Sequence, residues 1–156
     1  MAQISLNSTG VASNGALALQ SNGTTTAVTI DTSQNVGVGT GSPSAKLDLA
    51  GDYKEGVVTA NTGTTYTISL TSGTVQILTL TGNCTFTFPT ATAGKSFILL
   101  LKQDGTGSRT VTWASSVKWP SSTAPTITST ASKGDKYVFT ADGTYWWGSN
   151  AGQNYL

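Results

Sequence analysis

The feature that most narrows what this chain can become is its punctuation. Runs of β-branched and aromatic residues recur roughly every eight to twelve positions, and clusters of Gly, Asn, Asp, Ser and Pro separate them. No stretch gathers Ala, Leu, Glu, Lys, Gln and Arg into an apolar repeat of helical period. The expectation is an all-β chain: an extended N-terminal arm of short strands over residues 1–50, followed by a jelly-roll-like β-sandwich knob over residues 51–156.

In the arm, short strands are expected at 16–19, 27–30, 35–38 and 46–49. Between them lie the turn formers Asn14-Gly15, Asn22-Gly23 and Gly39-Thr40-Gly41-Ser42-Pro43. Four strands of this length, carrying mainly Ala, Val, Leu and Ile, bury too little surface to offset the backbone entropy of fifty ordered residues. The way out is to intertwine with identical arms, so that an apolar face from each chain meets at a shared axis. Leu17, Leu19, Val28, Ile30, Val36 and Val38 are the candidate assembly contacts. A homotrimer is the expected state, with cyclic symmetry of another order left open.

The knob holds nearly all the aromatics, with strands expected at 65–70, 75–80, 85–88, 97–102, 109–113, 126–129, 137–140 and 144–147. Tyr66, Ile68 and Leu70, and again Phe86 and Phe88, alternate with Thr or Ser, which turns one face of each strand inward. Phe97-Ile98-Leu99-Leu100-Leu101 is apolar on both faces. This marks a strand covered on both sides, by the opposing sheet and by a neighbouring subunit. The polar run 102–108 is expected to join it to 109–113 as a hairpin.

Composition removes several function classes. Charged residues are 10% of the chain and the formal charge is +1, so no basic stripe invites nucleic acid and no charge block invites a membrane surface. The longest strongly apolar run, at 97–101, is about a quarter of the roughly 20 residues that a spanning helix needs. Met1 to Asn7 has neither the positive start nor the apolar core of a secretory signal, which suggests synthesis in a host cytoplasm. The lone Cys84 makes no intrachain disulfide, and the chain contains no His. No cofactor or metal is expected.

Catalysis finds little support. Asp31, Asp48, Asp52, Glu55, Asp104, Asp135 and Asp142 sit mostly beside Gly or Ser, as turn formers do. A Ser nucleophile would lack a His base. Asp104-Gly105-Thr106-Gly107-Ser108 reads as a turn rather than a cation or phosphate loop, because one carboxylate is too few and no helix follows. The chain is therefore not expected to be an enzyme. The candidates for interface or glycan contact are Trp113, Trp119, Tyr145, Trp146, Trp147 and Tyr155. On a strand the adjacent Trp146 and Trp147 point to opposite faces, one into the core and one away from it.

Two sets of residues resemble a known group. Ala27-Val28-Thr29-Ile30-Asp31, Gln34-Asn35-Val36-Gly37-Val38-Gly39-Thr40 and Ser42-Pro43-Ser44-Ala45-Lys46-Leu47-Asp48 resemble a segment of tailed-phage fibre and virion-appendage proteins. The run from Gln103 to Trp113, Val117-Lys118-Trp119-Pro120, Thr123-Ala124-Pro125-Thr126-Ile127 and Asp142-Gly143-Thr144-Tyr145-Trp146-Trp147-Gly148 resemble phage virion modules. The first segment often precedes a self-cleaving chaperone domain, for which this chain has no room, so trimerisation is expected to be intrinsic or templated by a partner. The resemblance implies a virion structural protein. Size favours a homotrimeric capsid decoration, or cement, protein seated on the major capsid protein. The alternative is a short trimeric tail fibre that binds host surface polysaccharide.

Overall fold

The computed structural model of the protein describes residues 15–21 and 25–155. The expected Asn22-Gly23 turn and the first residues of the arm lie outside them. The chain divides into two compact units, Met1–Lys54 and Glu55–Leu156. Apart from one 3₁₀ turn at Pro120–Ser122, every regular element among the described residues is a β-strand.

The first unit is a single four-stranded sheet in sequence order: β1 (Leu17–Ser21), β2 (Thr25–Ile30), β3 (Val36–Val38) and β4 (Leu47–Leu49). β1, β2 and β3 run antiparallel, and β4 returns parallel to β3. Asp31 makes the β2–β3 turn: Oδ1 accepts the backbone N–H groups of Ser33 and Asn35 at 2.8 Å, and Oδ2 accepts the Asn35 side-chain amide at 3.0 Å. Asp48, within β4, does similar work for the turn that precedes the strand: its Oδ2 accepts both the N–H and the hydroxyl of Ser44 at 2.8 Å. In each case a short carboxylate satisfies donors that the ladder leaves open.

The second unit is a two-sheet sandwich. The larger sheet has the order β11-β13-β12-β9-β7-β5, built from β5 (Val57–Asn61), β7 (Val75–Leu80), β9 (Ser96–Gln103), β11 (Val117–Lys118), β12 (Gly134–Ala141) and β13 (Trp146–Tyr155). The smaller is β10-β8-β6, from β6 (Thr65–Thr67), β8 (Cys84–Thr87) and β10 (Val111–Thr112). From β5 to β10 the chain alternates between the two sheets. β5, β7 and β9 run parallel in one, and β6, β8 and β10 run parallel in the other. The path is thus three stacked turns of a flattened coil, closed by the antiparallel strands β12 and β13. Backbone bonds carry the stacking around the corners, for example Thr62 N–H to the Thr79 carbonyl and Ile68 N–H to the Thr87 carbonyl.

This path replaces the hairpin expected between 97–102 and 109–113. β9 and β10 lie in different sheets, and β10 pairs with β8. The reason is in the connecting corner. The Gln103 side chain donates to the Arg109 carbonyl and accepts from the Arg109 N–H, both at 2.9 Å. Asp104 receives the Arg109 guanidinium at 2.9 Å together with the N–H groups of Thr106 and Gly107. With Gly107 at φ 72° and Ser108 at φ 59°, the segment turns across the sandwich instead of doubling back. Residues 126–129 also depart from the expectation: they form no strand. β5 and the two-residue β11 are strands that the sequence pattern did not reveal.

The core lies between the two sheets. Leu78, Leu80, Phe97, Leu99, Leu101, Tyr137, Phe139 and Trp146 point in from the large sheet, and Cys84 and Phe86 from the small one. Phe97 and Phe139, paired across β9 and β12, stack at 4.7 Å, and Phe88 and Trp146 meet them at an angle. Gly148 is small of necessity, because a Cβ there would lie 2.8 Å from the Trp119 ring and 2.9 Å from Phe139.

Candidate functional site

Two surfaces gather the residues singled out from sequence. The first is one face of the four-stranded sheet. The register lines up Leu17, Ile30, Val36 and Leu47 in one row, and Leu19, Val28, Val38 and Leu49 in the next. Paired residues share a face, so eight aliphatic side chains form one continuous apolar surface. Leu19 is 54% and Leu47 61% exposed, and Ile30, Val38 and Leu49 are exposed as well. The opposite face carries Ala18, Thr29, Gly37 and Asp48. All six candidate arm contacts lie on the aliphatic face. Leu47 and Leu49 complete it, and their alternation around Asp48 was the signal in the sequence.

The second surface belongs to the aromatics, which separate into two groups. Trp146 is fully buried, donates its indole N–H to the Pro89 carbonyl at 2.7 Å and packs edge-on to Phe97. Trp113 is half-buried, stacked on Phe86 at 5.6 Å and edge-on to Trp119 and Tyr137. Trp119 is buried against Tyr137 and Phe139. These three rings are packing residues. Tyr145, Trp147 and Tyr155 are exposed, and Tyr155, at the end of β13, stands apart from the other two.

Tyr145 and Trp147 line a shallow cleft of about 540 Å3 together with Val117, Lys118, Trp119, Ser122, Asp142 and Thr144. β11 runs parallel to β13 and sets Lys118 opposite Trp147. The Lys118 ammonium lies 4.3 Å from the centre of the Tyr145 ring and donates to the Ser115 carbonyl at 3.2 Å. Asp142 organises the floor. Its Oδ1 accepts the N–H groups of Thr144 and Tyr145, and its Oδ2 accepts the Trp147 indole N–H, each at 2.7 Å. The bonds from Tyr145, Thr144 and Trp147 hold its carboxyl below the usual range, so the anion persists at neutral pH. One wall is the 3₁₀ turn, where Ser121 and Ser122 both adopt left-handed backbone at φ 56° and 57°. That conformation is costly for residues with a Cβ. Within the wall, the buried Trp119 indole N–H has no hydrogen-bond partner. Lys118 carried no sequence signal, because its partnership with Tyr145 is made only by strand pairing.

Asp31, Asp48, Asp104 and Asp135 are occupied with structure. Asp135 is buried on β12, where it accepts Thr128 N–H at 2.7 Å, the Tyr137 hydroxyl at 3.1 Å and Asn154 N–H at 3.0 Å. Burial alone would raise its pKa. The donors from Thr128, Asn154 and Gln153 outweigh it and leave the carboxyl below its usual value. Burial, with Asp135 beside it, pushes the Tyr137 phenol well above its ordinary range. Among the described residues, no group of three or more His, Cys, Asp or Glu is placed to hold a metal ion, and no helix is long and apolar enough to cross a membrane.

Residues 58–144, more than half of the chain, match the family described as "Putative phage tail fibre C-terminal domain". The match runs from within β5 to Thr144, so it takes in the parallel coil, β12 and six of the eight cleft residues, and ends just before Tyr145 and Trp147. No curated protein and no solved structure matches the chain.

Proposed function

From a chain that belongs to the phage tail fibre C-terminal domain family, and is therefore a structural protein of the virion, we propose a homotrimeric tail-fibre component whose second unit meets the host surface. The observation that carries the assembly is the eight-residue aliphatic face of the first unit. Among the described residues of this unit, a single sheet with strands of three to six residues has no second layer to cover that face. Identical chains supply the missing layer, and three such faces around one axis bury the two rows against each other. The second unit has its own closed core, and its aromatic cleft is the surface it offers to a host polysaccharide.

The family match favours a place on the tail over a decorating place on the capsid lattice. Imaging intact particles with an antibody against the second unit tests this: label at the tail is expected, and label across the head would return the protein to capsid decoration. Light scattering tests the assembly. The full chain is expected to run as a trimer. Leu19→Asp combined with Val38→Asp, which places charges in one aliphatic row, is expected to give monomers whose second unit stays folded. A double variant that remains trimeric would rule out this face as the contact.

A further inference from the structure

Deepening that reading, we propose that the cleft between the 3₁₀ turn and β13 binds a neutral pyranose sugar, with its apolar face stacked on Trp147. Trp147 is 52% exposed, yet its ring is not free to turn, because Asp142 holds the indole N–H. An exposed indole fixed in one orientation is a prepared stacking surface: the ordering cost is met before a ligand arrives. Tyr145, two residues earlier, adds a second ring fixed beneath Lys118. A pyranose suits this pair, since one of its faces is a patch of C–H groups and its rim is a ring of hydroxyls.

The polar groups of the cleft fit the rim. Ser122 and Thr144 bring hydroxyls, and Asp142 uses both oxygens for three donors, so a lone pair remains for a fourth. Charge selects among sugars. Lys118 and Asp142 are the charged residues of the lining, and they are of opposite sign. Lys118 is also engaged by the Tyr145 ring and the Ser115 carbonyl. Nothing here draws a polyanion, so a neutral hexose or deoxyhexose is favoured over a uronic acid or a phosphorylated sugar.

The experiment titrates the full chain with neutral oligosaccharides of gluco, galacto, manno and rhamno configuration, and with an oligouronate. Tryptophan fluorescence is the readout, at low and high salt. At least one neutral probe is expected to change the emission, with an affinity that salt leaves unchanged. Trp147→Ala is expected to weaken that binding by about tenfold or more, with unchanged circular dichroism. The proposal is overturned if no neutral probe binds, if the oligouronate alone binds and salt abolishes it, or if Trp147→Ala binds like the parent. Tail imaging and the trimer measurement stand apart: their failure removes the tail-fibre reading, whereas a tail-borne trimer that binds no neutral sugar removes this inference alone.

Discussion

The two units use the same aliphatic alphabet on strands and reach opposite outcomes. In the four-stranded sheet the register gathers eight Leu, Ile and Val on one face and leaves Leu47 61% exposed. In the sandwich, Leu78, Leu99 and Phe139 are completely buried. The difference is one layer. β5 to β10 cross between two sheets at every turn, so each inward residue meets a counterpart from the opposing sheet. β1 to β4 stay in a single sheet, and their apolar face has no counterpart within it. A correct hydrophobic pattern is therefore sufficient for a strand but not for a core. The core needs a second surface, which the chain supplies to one unit and other copies are proposed to supply to the other.

The largest expected effect sharpens that contrast from the buried side. Phe139→Ala removes a ring that packs on Phe88, Phe97, Trp113 and Trp119 and should destabilise the second unit by about 4 kcal/mol. Chemical denaturation followed by tryptophan emission reads this directly. A loss below about 1 kcal/mol would mean that the sandwich is as loosely covered as the sheet.

A smaller loss is expected from the polar part of the same core. Asp135→Asn takes away an acceptor oxygen that holds segment 126–128 and the end of β13, and should cost about 2 kcal/mol. The acid response follows from the same group. The folded-state pKa of Asp135 is depressed, as are those of Asp104 and Asp142, so their stabilisation is fully present above the unfolded value near 3.8 and is lost as pH falls through the folded values. Melting temperature should hold steady from neutral pH to about 5 and drop below 3.8. Asp135→Asn should flatten that drop, and an equally steep drop in the variant would show that the carboxylate contributes nothing to it.

The smallest effect probes the exposed side. Leu47→Ser should change the stability of the dissociated chain by less than about 0.5 kcal/mol, because it alters a residue already in water. In the proposed trimer it should cost more, and the first transition of the parent should rise with protein concentration. A midpoint that ignores concentration would break the comparison, because the aliphatic face would then have no partner.

Much of this was legible in the residues. Alternation at Tyr66, Ile68, Leu70, Phe86 and Phe88 marked inward faces, because the side-chain period of a strand is two and burial is one-sided. The same rule set Trp146 and Trp147 on opposite faces, and gave Leu17, Leu19, Val28, Ile30, Val36 and Val38 as one apolar set. The route of the chain was not legible. A parallel pair and a hairpin ask for the same strand residues. What sends the chain from β9 across to β10 in the other sheet is a corner pinned by Gln103, Asp104 and Arg109, whose bonds form only once the turn is made.

By itself, then, the sequence determined the all-β class, the turn roles of Asp31, Asp104 and Asp142 and the alternation behind the apolar face of the first unit, since each rests on neighbours one to five positions apart, whereas Asp135 proved to be a buried strand residue. Tertiary structure decided the parallel coil, the Lys118, Tyr145 and Trp147 cleft, and which tryptophans are core. Those depend on which strand lies beside which, and that choice is made by the joint burial of residues far apart in the chain.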